Sequence, residues 1–234
     1  MLGVLGGMGP MATVDFLGKL IQQKTVDTDQ QHIPMVVWCD PRVPDRSSYI
    51  LGEGDNPYPM LYSGIRQLQR MGACAIAIPC NTAHYWYQQL VDTSQMTILH
   101  ISEAVLEQLN LISIARTKKT VGLLGTSGLL QSGIYQQYLP LQGWDVICPN
   151  EQQQAYLMKG IRYAKSGKLL LAKGIFIECI DQLRASGADA VILGCTEIPS
   201  VLEPMDGVID SNLALARYCV RWSESLSASS SSVA

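Results

Sequence analysis

Two cysteines stand at matching places in two matching stretches of this chain. Ala75-Ile76-Ala77-Ile78-Pro79-Cys80-Asn81-Thr82-Ala83-His84 is a short apolar run that ends on a thiol, with small polar residues behind it. Gly187-Ala188-Asp189-Ala190-Val191-Ile192-Leu193-Gly194-Cys195-Thr196 repeats the pattern, and the step from Gly72 to Cys80 equals that from Gly187 to Cys195, eight residues. A thiol on each side of one bound molecule suits inversion of a carbon acid. One thiolate removes the proton from one face, the opposite thiol supplies a proton to the other, and they exchange roles in the reverse direction. A lone fixed base tends to return its proton to the face it left. The plain alternative is that each cysteine is a small buried hydrophobe, the usual fate of a free thiol. Matched placement in a repeated unit favours the chemistry.

The elements that must position these thiols also come twice. Leu2-Gly3-Val4-Leu5-Gly6 reads as a buried strand running into a Gly-Met-Gly-Pro turn, with Phe16, Leu17, Leu20 and Ile21 at helical spacing after it. Ile33–Trp38 is a second strand, followed by the proline-rich loop Cys39–Arg46. A helix near Leu61–Met71 leads into the Cys80 strand, and Thr97–Ile101 is a fourth strand with Ser102 as the N-cap of a helix through Leu109. In the second half Val121–Gly128, Trp144–Cys148, a helix over Leu169–Leu183, the Cys195 strand and Gly207–Ser211 answer in the same order. Gly6 and Gly125, Gly72 and Gly187, and His100 and Asp210 stand 119, 115 and 110 residues apart, a near-constant offset that marks an internal duplication. Apolar strands alternating with amphipathic helices predict an α/β fold. It comprises two similar pseudo-symmetric domains, each a mostly four-stranded parallel sheet flanked by helices, with the site in the cleft between them. In such sheets ligands bind beyond the carboxyl ends of the strands, where both cysteines fall. A helix N-terminus is expected just after each, lowering the thiol pKa and favouring a carboxylate.

Composition narrows the rest. The 234 residues are 47% hydrophobic and 16% charged with a formal charge of −3, an ordinary globular balance that offers no attraction for nucleic acid or an anionic membrane. No apolar run reaches the roughly 18 residues of a membrane span. The opening residues enter a strand without a basic segment, so a cytoplasmic protein without a secretory signal is expected. Of the seven cysteines, Cys39, Cys74, Cys148, Cys179 and Cys219 are expected to be reduced, buried and inert. No zinc-module spacing occurs.

Pro79-Cys80-Asn81-Thr82-Ala83-His84 together with Gly194-Cys195-Thr196-Glu197 resembles the paired signature of the aspartate/glutamate racemase superfamily. Gly6-Gly7-Met8-Gly9-Pro10 and Pro44-Asp45-Arg46 are similar to its aspartate racemase branch. The resemblance covers nearly the whole chain except the serine-rich end. It implies cofactor-independent racemisation of a dicarboxylic amino acid, aspartate, without pyridoxal phosphate or metal, in a homodimer. By position it implies Cys80 and Cys195 as the acid/base pair, Cys195 acting on the L-isomer and Cys80 on the D-isomer. Asn81, Thr82 and Thr196 would hold the α-carboxylate, Met8 would line the site, and Arg46 would grip the side-chain carboxylate with Lys165 assisting. The resemblance also implies interleaved domains, 1–98 plus 211–225 and 99–210, and the serine-rich composition predicts a disordered tail over 226–234.

From the residues alone, Arg46 is suited to bidentate carboxylate recognition, with Arg42 a nearby competitor. Glu197 could orient a thiol or a backbone amide, or simply open a helix. Gly7-x-Gly9-x-x-Ala12 formally fits a dinucleotide fingerprint, but Pro10 interrupts it and it leaves the duplicated cysteines unexplained. Cys80 and His84, four apart, could form a hydrolase dyad with Glu197 as orienter, or a zinc site with Cys195. A non-catalytic ligand-binding protein is the remaining class. Within the superfamily, glutamate racemase, hydantoin racemase, maleate isomerase and arylmalonate decarboxylase are the rivals.

Overall fold

The opening apolar run becomes a central strand. Leu2–Gly6 (β1) is buried at every position, as a parallel strand covered on both faces must be. In this computed structural model, which describes residues 1–114 and 118–231, β1 lies between Met35–Cys39 (β2) and Ala75–Ala77 (β3), and β3 pairs with Thr97–Leu99 (β4). All pairings are parallel and the order is β2-β1-β3-β4. Lys119–Leu124 (β5), Trp144–Ile147 (β6), Ala190–Leu193 (β7) and Val208–Asp210 (β8) build the second sheet in the order β6-β5-β7-β8. The two orders are the same, so the duplication read from spacing is a duplication of topology.

Helices flank both sheets because each presents an apolar stripe. Pro10–Gln22 (α1) has proline in its first turn, where the missing N–H has no partner to lose, and buries Ala12, Phe16 and Leu20 on one face. After the short helix Arg46–Ile50 (α2), Tyr58–Arg70 (α3) buries Leu61, Ile65 and Leu68. Tyr87–Ser94 (α4) and Ile101–Asn110 (α5) complete the first half. Ser127–Ser132 (α6), Ile134–Tyr138 (α7), Glu151–Lys165 (α8) and Leu169–Ala185 (α9) serve the second, and Ser211–Ser231 (α10) follows β8. One apolar cluster spans the molecule, joining Leu2 and Phe16 to Leu123 and Trp144 through Val105 of α5 and Leu215 of α10. A second lies around Leu5, Leu61 and Ile76, and a third around Leu157, Phe176 and Ile180. Helix α10 packs on α1 and α5, and Asn212 Nδ2 donates to Ala12 O at 3.1 Å and Asp15 Oδ2 at 3.0 Å. No helix among the described residues is long and apolar enough to cross a membrane.

Three local expectations change. The serine-rich stretch from 226 continues α10 through Ser231, since extending a helix already nucleated by packing is far easier than starting one; 232–234 lie outside the described residues. The Pro44 loop runs into α2 because Asp45 caps that helix by accepting from Ser48 N at 2.8 Å. Helix α5 is capped by His100, whose Nδ1 accepts from Ser102 N at 3.2 Å, not by Ser102 itself. Finally, Cys39 and Cys74 are exposed and Cys148 is partly so; Cys179 and Cys219 alone of the five are buried. Cys39 ends a sheet-edge strand, and Cys74 sits beside the N-terminus, its Sγ accepting from Met1 N at 3.3 Å.

Candidate active site

The carboxyl ends of β3 and β7 deliver the two thiols to one place. Cys80 lies three residues beyond β3 and Cys195 two beyond β7, and both line a single small cavity of about 30 Å³ between the sheets. Both are buried, at 7% and 5% exposure. All nine residues singled out from the sequence meet there: Met8, Arg46, Cys80, Asn81, Thr82, Lys165, Cys195, Thr196 and Glu197. Arg42 does not join them; its side chain is 79% exposed and paired with Asp40 at 2.8 Å.

The scaffold explains the convergence. Gly7, at φ +95°, turns the chain sharply at the end of β1, and a Cβ there would lie 2.6 Å from Asp40 N. Thr13 Oγ1 fixes that turn by accepting from Gly7 N at 2.9 Å and donating to Gly9 O at 3.0 Å. Met8 thereby faces the cleft. Arg46 opens α2, and Lys165 closes α8, a position where its charge also complements the helix dipole. The halves touch closely here: a Cβ on Gly128 of α6 would fall 2.7 Å from Ser47 Cβ, and Ser47 Oγ donates to Thr126 Oγ1 at 2.8 Å. Thr126 Oγ1 also lies 3.2 Å from Thr82 Oγ1.

The two thiols differ in surroundings. Cys195 Sγ donates to Glu197 Oε2 at 3.0 Å. Burial first, and the Glu197 charge second, push its pKa well above the usual thiol value, so it rests protonated. Activation by a helix N-terminus is therefore corrected at Cys195, where 196–202 form turns and not a helix. Behind Cys80 stands a 3-10 turn, Thr82–Trp86, ahead of α4. His84 is not a base for Cys80. Its Nδ1 lies 3.0 Å from Cys80 O and its Nε2 accepts from Ile101 N at 3.3 Å, so both nitrogens serve the backbone. Burial, then the neighbouring His100, drives its pKa down to about 3. That removes the hydrolase dyad and the histidine ligand of the zinc reading.

The polar groups are largely engaged. Arg46 Nη1 donates to Val43 O and Pro44 O at 3.0 and 2.9 Å, and Nη2 to Met8 O at 3.4 Å, while Nε is buried without a partner among the described residues. Burial tends to raise the Asp45 pKa, but the Ser48 N–H and the charges of Arg46 and Lys165 outweigh it and hold the carboxylate below its usual range. Asp45, Arg46, Lys165 and Glu197 also wall a larger outer cavity of about 870 Å³, whose rim carries the exposed Met11, Val14 and Leu169. Asp45, Ser47, Thr126 and Gly194 line the inner cavity without having been singled out. Thr126 carried a signal, since Gly125-Thr126-Ser127-Gly128 answers the opening glycine turn that supplies Met8.

Fold and cleft together define a duplicated α/β protein with a cysteine from each half on one small cavity. The profile of the Asp/Glu/Hydantoin racemase family matches residues 5–219, and the chain belongs to that family. It is a racemase, an isomerase. An aspartate racemase of Picrophilus torridus superposes with a TM-score of 0.80 at 32% identity, covering 92% of this chain and 90% of that one. A broad-specificity amino-acid racemase of Bacillus subtilis is 29% identical over 229 residues, 94% of this chain and 96% of its own. An aspartate racemase homologue from Pyrococcus horikoshii OT3 shares the fold at 24% identity and a TM-score of 0.74, over 95% and 98% of the two chains.

Proposed function

We propose that this racemase interconverts L- and D-aspartate by two-base proton transfer between Cys80 and Cys195. The observation that carries the reading is the shared cavity: thiols from opposite halves line the same small space. Cys195, held protonated, is the proton donor in the reaction of the D-isomer. The Cys80 thiolate takes the α-proton, and Cys195 delivers its own to the opposite face, leaving a Cys80 thiol and a Cys195 thiolate. The L-isomer reacts in reverse, once the Cys195 thiol has given its proton to Glu197, 3.0 Å away, and the Cys80 thiolate has taken one from solvent. No pyridoxal group or metal is needed for this proton count. Thr82 and Thr196 hold the α-carboxylate, and the unpartnered Arg46 Nε with the Lys165 ammonium meets the second carboxylate. An inner volume of about 30 Å³ holds little more than a water, so substrate entry parts the walls.

The test is incubation with L-aspartate in deuterated buffer, following chirality and α-deuterium for the wild type, Cys80→Ala and Cys195→Ala. Loss of about 10²–10⁴-fold in each variant is expected. Unchanged racemisation in either removes the two-base mechanism. The outer cavity and the likeness to a broad-specificity enzyme favour one second reading, in which larger side chains extend past Arg46. Faster turnover of L-methionine than of L-aspartate would select it.

A further inference from the structure

Asn81 follows Cys80 directly, and its side chain is occupied within the protein. Its Oδ1 accepts from Tyr135 OH at 2.6 Å, and its Nδ2 donates to Ser211 Oγ at 2.9 Å. Ser211 Oγ in turn donates to Leu193 O at 2.7 Å, two residues before Cys195. Tyr135, Asn81, Ser211 and Leu193 are exposed by 0%, 2%, 0% and 3%, so none of these bonds is exchanged for water.

The direction of the chain is forced from one end. A carbonyl only accepts, so the Ser211 proton points at Leu193 O. Ser211 Oγ must then accept from the Asn81 amide nitrogen. That turns Asn81 Oδ1 towards Tyr135, whose hydroxyl has to donate. A buried chain of donors aligned one way strengthens each link. It starts on α7, crosses the Cys80 loop, passes the first residue of α10 and ends on the strand that carries Cys195. The residue after one thiol is thus tied, through a single hydroxyl, to the strand that presents the other.

We infer that Tyr135 and Ser211 are positioning residues that set the separation of the two reacting sulfurs through Asn81. The inference rests on the two-thiol reading above. It also moves the task of Asn81: its carbonyl oxygen belongs to Tyr135, so its part is to lock the Cys80 loop against β7. When the link is cut, the near thiol still removes the α-proton, but the far thiol stands out of line for delivery. The carbanion then regains a solvent-exchanged proton from the face that lost it. Exchange with retention replaces inversion.

The experiment compares wild type, Tyr135→Phe and Ser211→Ala in deuterated buffer, on an amino acid that the wild type inverts. It measures kcat, KM and the ratio of deuterium in recovered substrate to inverted product. Thermal melts check folding, and Tyr135→Phe deletes only one oxygen should Ser211→Ala fold poorly. The expected result is a kcat lower by about 10- to 100-fold, the scale of a misplacement near 1 Å, with KM within about twofold and a raised exchange-to-inversion ratio. Wild-type rate and ratio in the variants overturn the inference and leave the two-thiol reading standing. A lower kcat with an unchanged ratio also overturns it, since a merely structural role predicts that. A wild type that leaves the α-proton of every amino acid in place overturns both readings.

Discussion

Mild acid should destabilise this protein by an amount that two histidines set. His84 is buried, with its pKa pushed down to about 3 by burial and by its neighbour His100; burial alone holds partly buried His100 at about 4. Their rings stand 5.0 Å apart. An unfolded histidine titrates near 6.5, so between that value and the folded pKa the unfolded chain binds more protons and stability rises with pH. The stability is complete above about pH 6.5 and drains as pH falls towards 4 and 3. At pH 5 both folded histidines are still mostly neutral, so the loss depends on the unfolded pKa alone and not on the size of either shift. Moving from pH 7 to pH 5 then costs about 2 kcal/mol per histidine, about 4 kcal/mol together. With a urea slope of about 2–3 kcal/mol/M, the midpoint falls by about 1.3–2 M. Urea unfolding followed by circular dichroism at the two pH values checks this. His100→Asn keeps a side-chain acceptor at the α5 cap and removes one titrating group, so it should halve the loss. Equal midpoints at pH 7 and pH 5 in the wild type would refute the neutral, buried histidine pair.

Two further substitutions test the site and its frame. Glu197→Gln removes a charge that raises the Cys195 pKa; the thiol should react with iodoacetamide faster at pH 8, while turnover of the L-isomer falls by about 10-fold or more, and unchanged alkylation would count against the contact. Gly128→Ala would set a Cβ 2.7 Å from Ser47 Cβ and Oγ where the halves meet, so a loss of about 1–3 kcal/mol in stability and a lower kcat are expected; a variant as stable and active as the wild type would show that the two halves do not need that close approach.

Much of the architecture was legible because it is written in local patterns. Apolar runs such as Leu2–Gly6 and Ala75–Ala77 are too hydrophobic to be other than central parallel strands, and a near-constant offset exposes a duplication before any contact is known. The site was legible for the same reason: a loop at the carboxyl end of a parallel strand faces the cleft, so repeating the strand repeats the position of its cysteine. The state of the thiols was not legible. Cys195 differs from its counterpart because turns, not a helix, follow it and Glu197 lies against it, and the burial that raises its pKa comes from elements far away in the chain.

By itself the sequence determined which groups are available, how they are spaced along each half, and that each half places a thiol just beyond a strand. Only the tertiary structure decided how the halves face one another, because that depends on contacts between residues far apart in the chain, such as Ser47 with Thr126 and Asn81 with Ser211. Asn81 shows the difference. Its type and place beside Cys80 suggested a ligand for substrate, whereas Ser211, 130 residues away, and Tyr135 engage both ends of its amide. A buried amide is committed by whichever partners folding brings to it, since leaving it unpaired is costly, and no local pattern names those partners.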